Sequence, residues 1–185
     1  MRAGACHTSV MNTHLRNILL VALPLVANMS LAAEPKDACH LLTNAEVAAA
    51  FPGAKPGVPE TARAKYGILG CEWATPQGRV AAQFWKNESP TTARAEVEGL
   101  MIGALDPLKR TAGKAVRYET VTGAGESAVV AIARRDDAAG VLNDLAVVGV
   151  VGGGRTITIF APQLVSDPAR AVTVLSSLAR SAAKR

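Results

Sequence analysis

Aromatic rings, histidine and cysteine are scarce in this sequence. Two tryptophans, two tyrosines and three phenylalanines make up 4% of the chain, so its interior has to come mainly from Ala, Val, Leu and Ile. Three histidines and three cysteines leave little with which to build a metal cluster or an activated nucleophile. No apolar run approaches the roughly 20 residues that a membrane-spanning helix needs. No heptad or solenoid period runs through the chain. The acidic residues show neither the calcium-loop pattern nor a facing pair: Glu96 and Glu98 are two apart on a predicted helix and point to different sides.

The longest apolar stretch, residues 18–27, follows Arg16 and is interrupted by Pro24. It leads into Asn28-Met29-Ser30-Leu31-Ala32-Ala33, with small residues at Ser30 and Ala32. A positive start, a short apolar centre and an A-x-A-like end describe a secretory signal peptide. Residues 1–32 are therefore read as a signal peptide cut after Ala32, with Ala33 as the alternative. Residues 33–185 are read as a single domain in the periplasm or outside the cell. Met11 offers a second start, since MNTHLRNILL also opens as a leader does. No cysteine follows the apolar run directly, which argues against lipid attachment.

Cleavage would remove Cys6, His7 and His14 and leave Cys39, Cys71 and His40. Losing Arg2 and Arg16 lowers the formal net charge of +5 by two. The remaining charge suits a soluble surface. Lys109, Arg110, Lys114 and Arg117 form a loose basic cluster, and Arg180, Lys184 and Arg185 a basic tail; either could make peripheral contact with anionic lipid or polysaccharide. A secretion signal without any recognition motif excludes nucleic acid.

Thr43-Asn44-Ala45-Glu46 is a capping box, with Leu42 and Val47 at the staple positions, and predicts a helix over 44–51. A short edge strand is expected around 61–66. Residues 70–74 and 79–85 predict a hairpin about Thr75-Pro76-Gln77-Gly78. In its second strand Val80, Ala82 and Phe84 share one face, and Arg79, Ala81, Gln83 and Trp85 the other. Ser89-Pro90 is expected to open a second helix, with Ala93, Val97, Leu100, Met101 and Ala104 as its apolar stripe and Asp106-Pro107 as its stop. Strands are expected at 116–121, 127–133, 145–151 and 156–161, and a last helix from Asp167-Pro168. Helix, strands, helix, strands, helix implies an α+β fold: an antiparallel sheet with helices packed on it.

Cys39 beside His40 raises three chemistries. A secreted chain with two cysteines most simply pairs them, here tying the start of the first helix to the first hairpin. A thiol nucleophile needs an oriented base, and neighbours in an extended segment point apart. A zinc site needs three or four ligands at spacings that Cys39, His40 and Cys71 lack. Neither a metal nor a cofactor is expected. Gly149 to Gly154 suggest a phosphate loop, but the glycines lead into Thr156-Ile157-Thr158-Ile159 and read as a hairpin turn. Gly125-Glu126-Ser127-Ala128-Val129 lacks the closing glycine of a nucleophile elbow. Trp85, on the more polar strand face with Arg79 and Gln83, is the candidate binding surface, because an exposed Trp beside charge is a common hot spot.

Cys39-His40-Leu41-Leu42-Thr43 with Glu46-Val47, then Cys71-Glu72-Trp73, then 121–128 resemble a family of small secreted lipoproteins of unknown function, best known from actinobacteria. The resemblance implies that Cys39 and Cys71 pair. The family assigns no catalytic residue, and this chain lacks its lipid-attachment cysteine. The expectation is a non-enzymatic periplasmic or secreted binding module, of inhibitor or immunity type, with an envelope protein or small ligand as partner. The alternatives are a small-molecule or lipid carrier, and an unrecognised hydrolase using His40, Glu72 or Glu126.

Overall fold

The computed structural model describes residues 37–104, 116–133 and 145–185, the side chains of 101–104 excepted. The expected leader and its cut near Ala32, the helix stop at Asp106, the basic Lys109, Arg110 and Lys114, and the acidic Asp136, Asp137 and Asp144 lie outside these residues.

A single-turn 3-10 helix, Ala38–His40, precedes α1 (Asn44–Ala50). Then come β1 (Val58–Glu60), β2 (Leu69–Thr75), β3 (Gly78–Lys86), α2 (Ala93–Ala104), β4 (Val116–Thr120), β5 (Ser127–Ala133), β6 (Leu145–Gly152), β7 (Arg155–Phe160) and α3 (Pro168–Ala182). The strands form one antiparallel sheet in the order β1-β2-β3-β7-β6-β5-β4. The α+β class implied by the patterning is the class observed.

Local chemistry explains most boundaries. Thr43 Oγ1 accepts from Glu46 N at 3.2 Å and Glu46 Oε2 from Thr43 N at 2.7 Å, completing the capping box of α1. Gly153 and Gly154, at φ 60° and 71°, make the tight β6–β7 turn whose twist suits a hairpin. Asp167 accepts from Arg170 N at 3.1 Å and Pro168 follows as the first residue of α3.

Two boundaries differ from expectation. The edge strand is Val58–Glu60 rather than 61–66, which instead contains the 3-10 turn Ala64–Tyr66. Glu60 is the cause: its carboxylate takes Ala62 N at 2.6 Å and the Arg63 guanidinium at 3.2 Å, folding the chain back on itself. Helix α2 starts at Ala93, not at Ser89-Pro90. Ala93 N donates to Ser127 Oγ on β5 at 2.9 Å, and Ala95 N to Thr92 Oγ1 at 3.2 Å. A strand far along the sequence thus supplies one of the caps.

One sheet face carries Cys71, Trp73, Val80, Ala82, Phe84, Val148 and Ile159, all buried beneath α1, α3 and the short turns. Trp73 is fully buried, and its Nε1 donates to Asn44 Oδ1 at 3.0 Å. The same oxygen takes Gly57 N at 2.9 Å. A Cβ on Gly57 would lie 2.6 Å from Trp73 Nε1 and 2.7 Å from Cys71 Sγ, so only glycine lets the loop lie on this ring. Cys39 and Cys71 are disulfide-bonded across 32 positions, with their Cα atoms 5.0 Å apart.

Arg185 reaches back to the start of α1. It donates to Leu41 O at 2.7 Å and forks onto Glu46 at 2.9 and 3.0 Å. The Arg185 guanidinium, aided by the Thr43 and Ser181 hydrogen bonds and opposed by burial, lowers the Glu46 pKa from 4.5 to about 2. Arg180 Nε meanwhile donates to Thr122 O at 3.0 Å. Two cations of the predicted basic tail therefore hold the protein together.

Replacing both Cys39 and Cys71 by Ala should cost about 3–4 kcal/mol in the chain-entropy account, read as a lower urea midpoint with a somewhat steeper slope, because the denatured chain without the bridge is more expanded. Glu46 is depressed in the folded state, so its contribution is complete above pH 4.5 and fades as pH falls towards 2. The pair is partly exposed, so solvent screening leaves about 1 kcal/mol. Urea titrations at stepped pH should show that loss, and Arg185→Ala should flatten the limb.

Candidate functional site

The opposite sheet face is covered differently. Alternation along β3 places Arg79, Ala81, Gln83 and Trp85 there, as the sequence implies. Register carries the same face across the sheet through Thr156, Thr158 and Phe160 on β7, Val147 and Gly149 on β6, and Val129 and Ala131 on β5. Helix α2 lies over β5 and β6, burying Ala93 and Val97 completely. Gly149 permits that approach. A Cβ there would collide with Val97 and come within 3.3 Å of Ala93 O. Val97 is β-branched and has little rotamer freedom to move aside.

Where α2 ends its cover, a cleft opens towards β3. It has two adjoining lobes of about 650 and 670 Å³, which share Trp85, Glu96 and Leu100. Phe160 and Leu145 extend the first lobe along the sheet. Arg63, Tyr66 and Gln83 extend the second towards β1. Trp85 is only half-buried, in contrast to Trp73, which is sealed in the core.

A hydrogen-bonded relay stiffens the second lobe. Gln83 is 8% exposed, and its Oε1 accepts from Arg63 Nη1 at 3.1 Å. Arg63 Nε and Nη2 in turn donate to Glu60 Oε2 at 3.3 and 3.2 Å. Thr158, beside Gln83 in register, is fully buried and its hydroxyl has no partner among the described residues. A buried polar group of that kind is costly and marks this face as incompletely settled by apolar packing.

On the far flank of α2, Tyr118 of β4 carries the Arg94 guanidinium 3.4 Å from its ring centre. Arg94 is also ion-paired with Glu98 one helical turn on. Burial pushes the Tyr118 phenol above its usual value, with Arg94 opposing and Glu98 adding to the rise.

Of the three residues expected at a binding surface, the fold brings Trp85 and Gln83 to the cleft and leaves Arg79 outside it. Arg79 is exposed and paired with Glu72 at 3.4 Å. Arg63, Tyr66, Glu96, Leu100 and Phe160 were not anticipated. The sequence pattern places Leu100 in an apolar helix stripe and Arg63 and Tyr66 in an edge strand, so no local signal points to the cleft.

The three residues of the hydrolase reading do not meet. His40 is exposed beside Asp37, with 2.9 Å between Nδ1 and Oδ1. Glu72 lies on the cleft face of β2, opposite the face that carries Cys71. Glu126 accepts from Gly153 N at 2.9 Å in the loops next to β5. Four strand spacings separate β2 from β5, about 19 Å. Among the described residues, no group of three or more His, Cys, Asp and Glu is placed to hold a metal ion, and no helix is long and apolar enough to cross a membrane.

Gly149→Ala should lift α2 and cost about 1–3 kcal/mol. A fall in thermal midpoint together with a changed Trp85 emission would report it, whereas an unchanged midpoint would show that α2 yields freely.

No family model matches the chain, and neither a curated protein nor a solved structure matches it.

Proposed function

We propose that this protein is a non-catalytic binding module of the cell envelope, and that the cleft between α2 and β3 receives a small ligand. Trp85 carries the reading. A large ring stands half-exposed between two lobes, beside a buried amide that is held by an oriented guanidinium. Rigid aromatic surface flanked by a few fixed polar groups is the usual composition of a small-molecule site. Each lobe also falls within the roughly 300–1,000 Å³ common for such sites. That size favours a small ligand, and so the carrier reading, over a broad protein interface. The envelope location rests on the leader pattern of residues 1–32.

Purified exported protein, denatured and extracted, should release a small molecule detectable by mass spectrometry. Trp85→Ala should lose that molecule while its thermal midpoint shifts by only a few degrees, since the ring is half-exposed. Wild type and variant that both come through empty, and that capture nothing from an envelope extract, would count against the cleft as a binding site.

A further inference from the structure

Helix α2 has an aromatic ring on each flank. On the β4 side the arrangement is a complete triad: the Tyr118 ring, the Arg94 guanidinium stacked on it, and the Glu98 carboxylate paired with that cation. On the β3 side Trp85 and Glu96 line both lobes of the cleft together, and no cation of the described chain completes the set. Glu96 is partly buried, and its carboxylate makes no hydrogen bond or ion pair among the described residues. The two nearby cations are committed. Arg63 is held by Glu60 and Gln83, and Lys86, which lines the second lobe, has an interaction of its own.

We propose that the cleft binds a small organic cation, an alkylated or quaternary ammonium compound whose charged head lies on Trp85 and is neutralised by Glu96. This inference rests on the cleft being the binding site. An indole face is the strongest cation–π partner among the side chains. The walls around it, Leu100 and Phe160, are apolar. A weakly hydrated alkylammonium suits that mixture. A divalent metal ion suits it less: it requires several oxygen ligands, and although Glu88 also lines the second lobe, no three His, Cys, Asp or Glu of the described residues are grouped to hold one.

Gly99 supplies an independent observation. It stands inside α2 and lines the cleft between Glu96 and Leu100. A Cβ built on it meets nothing within 4 Å, so packing does not require glycine there. In a helix interior glycine costs about 1 kcal/mol relative to alanine. Its bare backbone keeps the cleft wide beside the carboxylate, and a larger side chain would project into that space.

The test is binding of choline to the full exported chain, read by Trp fluorescence and by calorimetry at matched ionic strength. 3,3-Dimethylbutan-1-ol serves as the uncharged isostere, and sodium acetate as the anionic control. Saturable choline binding is expected, with the isostere and acetate at least about tenfold weaker. Glu96→Gln should weaken choline by about tenfold at an unchanged thermal midpoint. Gly99→Leu should abolish binding by filling the cleft while raising the midpoint. If choline and its isostere bind equally and both are lost in Trp85→Ala, the cleft stands as a site and the cation inference falls. If no probe binds and no ligand is retained, both fall. Flotation with phosphatidylcholine vesicles that free choline fails to displace would overturn the soluble ligand in favour of a membrane surface.

Discussion

A seven-stranded sheet has two apolar faces, and the described elements cover them unequally. One helix with its side chains is about 10 Å across, and strands lie about 4.8 Å apart, so a helix shields roughly two strands. The first face has α1, α3 and two short turns, Ala38–His40 and Pro162–Leu164. The second has α2 alone among the described helices, placed over β5 and β6. Everything distinctive on that face follows from this shortage: the half-exposed Trp85, the polar Gln83–Arg63–Glu60 relay, and the cleft beside Leu100.

The well-covered face is held by contacts that connect distant parts of the chain. Asn44 Oδ1 receives both Trp73 Nε1 and Gly57 N, joining α1, the following loop and β2 at one atom. The disulfide lies against the same ring. Arg185 closes the other side by gripping the α1 cap. Most of these links are partly buried, and each replaces backbone freedom with a specific geometry. They give the first face a rigidity that lets the second remain open without loss of the fold.

Helix α2 divides the open face into two chemical environments. Towards β4, Tyr118, Arg94 and Glu98 satisfy one another. Towards β3, aromatic surface and carboxylate lie side by side without such closure. The difference depends on which flank of the helix each residue occupies. Glu96 and Glu98, two apart, project on different sides, so one is paired internally and the other faces the cleft.

Period and capping chemistry are local properties, and the residues that carry them are readable in order. Thr43 and Glu46 announce α1, Asp167-Pro168 announces α3, and alternation along β3 assigns Trp85 and Gln83 to one face. The pairing of Cys39 with Cys71, now seen, is the simplest use of the two cysteines that lie beyond residue 32. Tertiary structure alone decided the rest, because the deciding partners are distant in sequence. Ser127 sets the start of α2, Gly149 sets how closely that helix approaches, and strand order places Phe160 on the same cleft as Trp85. Arg79 shares its strand face with Trp85, yet pairs with Glu72 and stays outside the cleft. A two-residue period determines which face a side chain occupies; only the position of a packed helix determines whether that face is open.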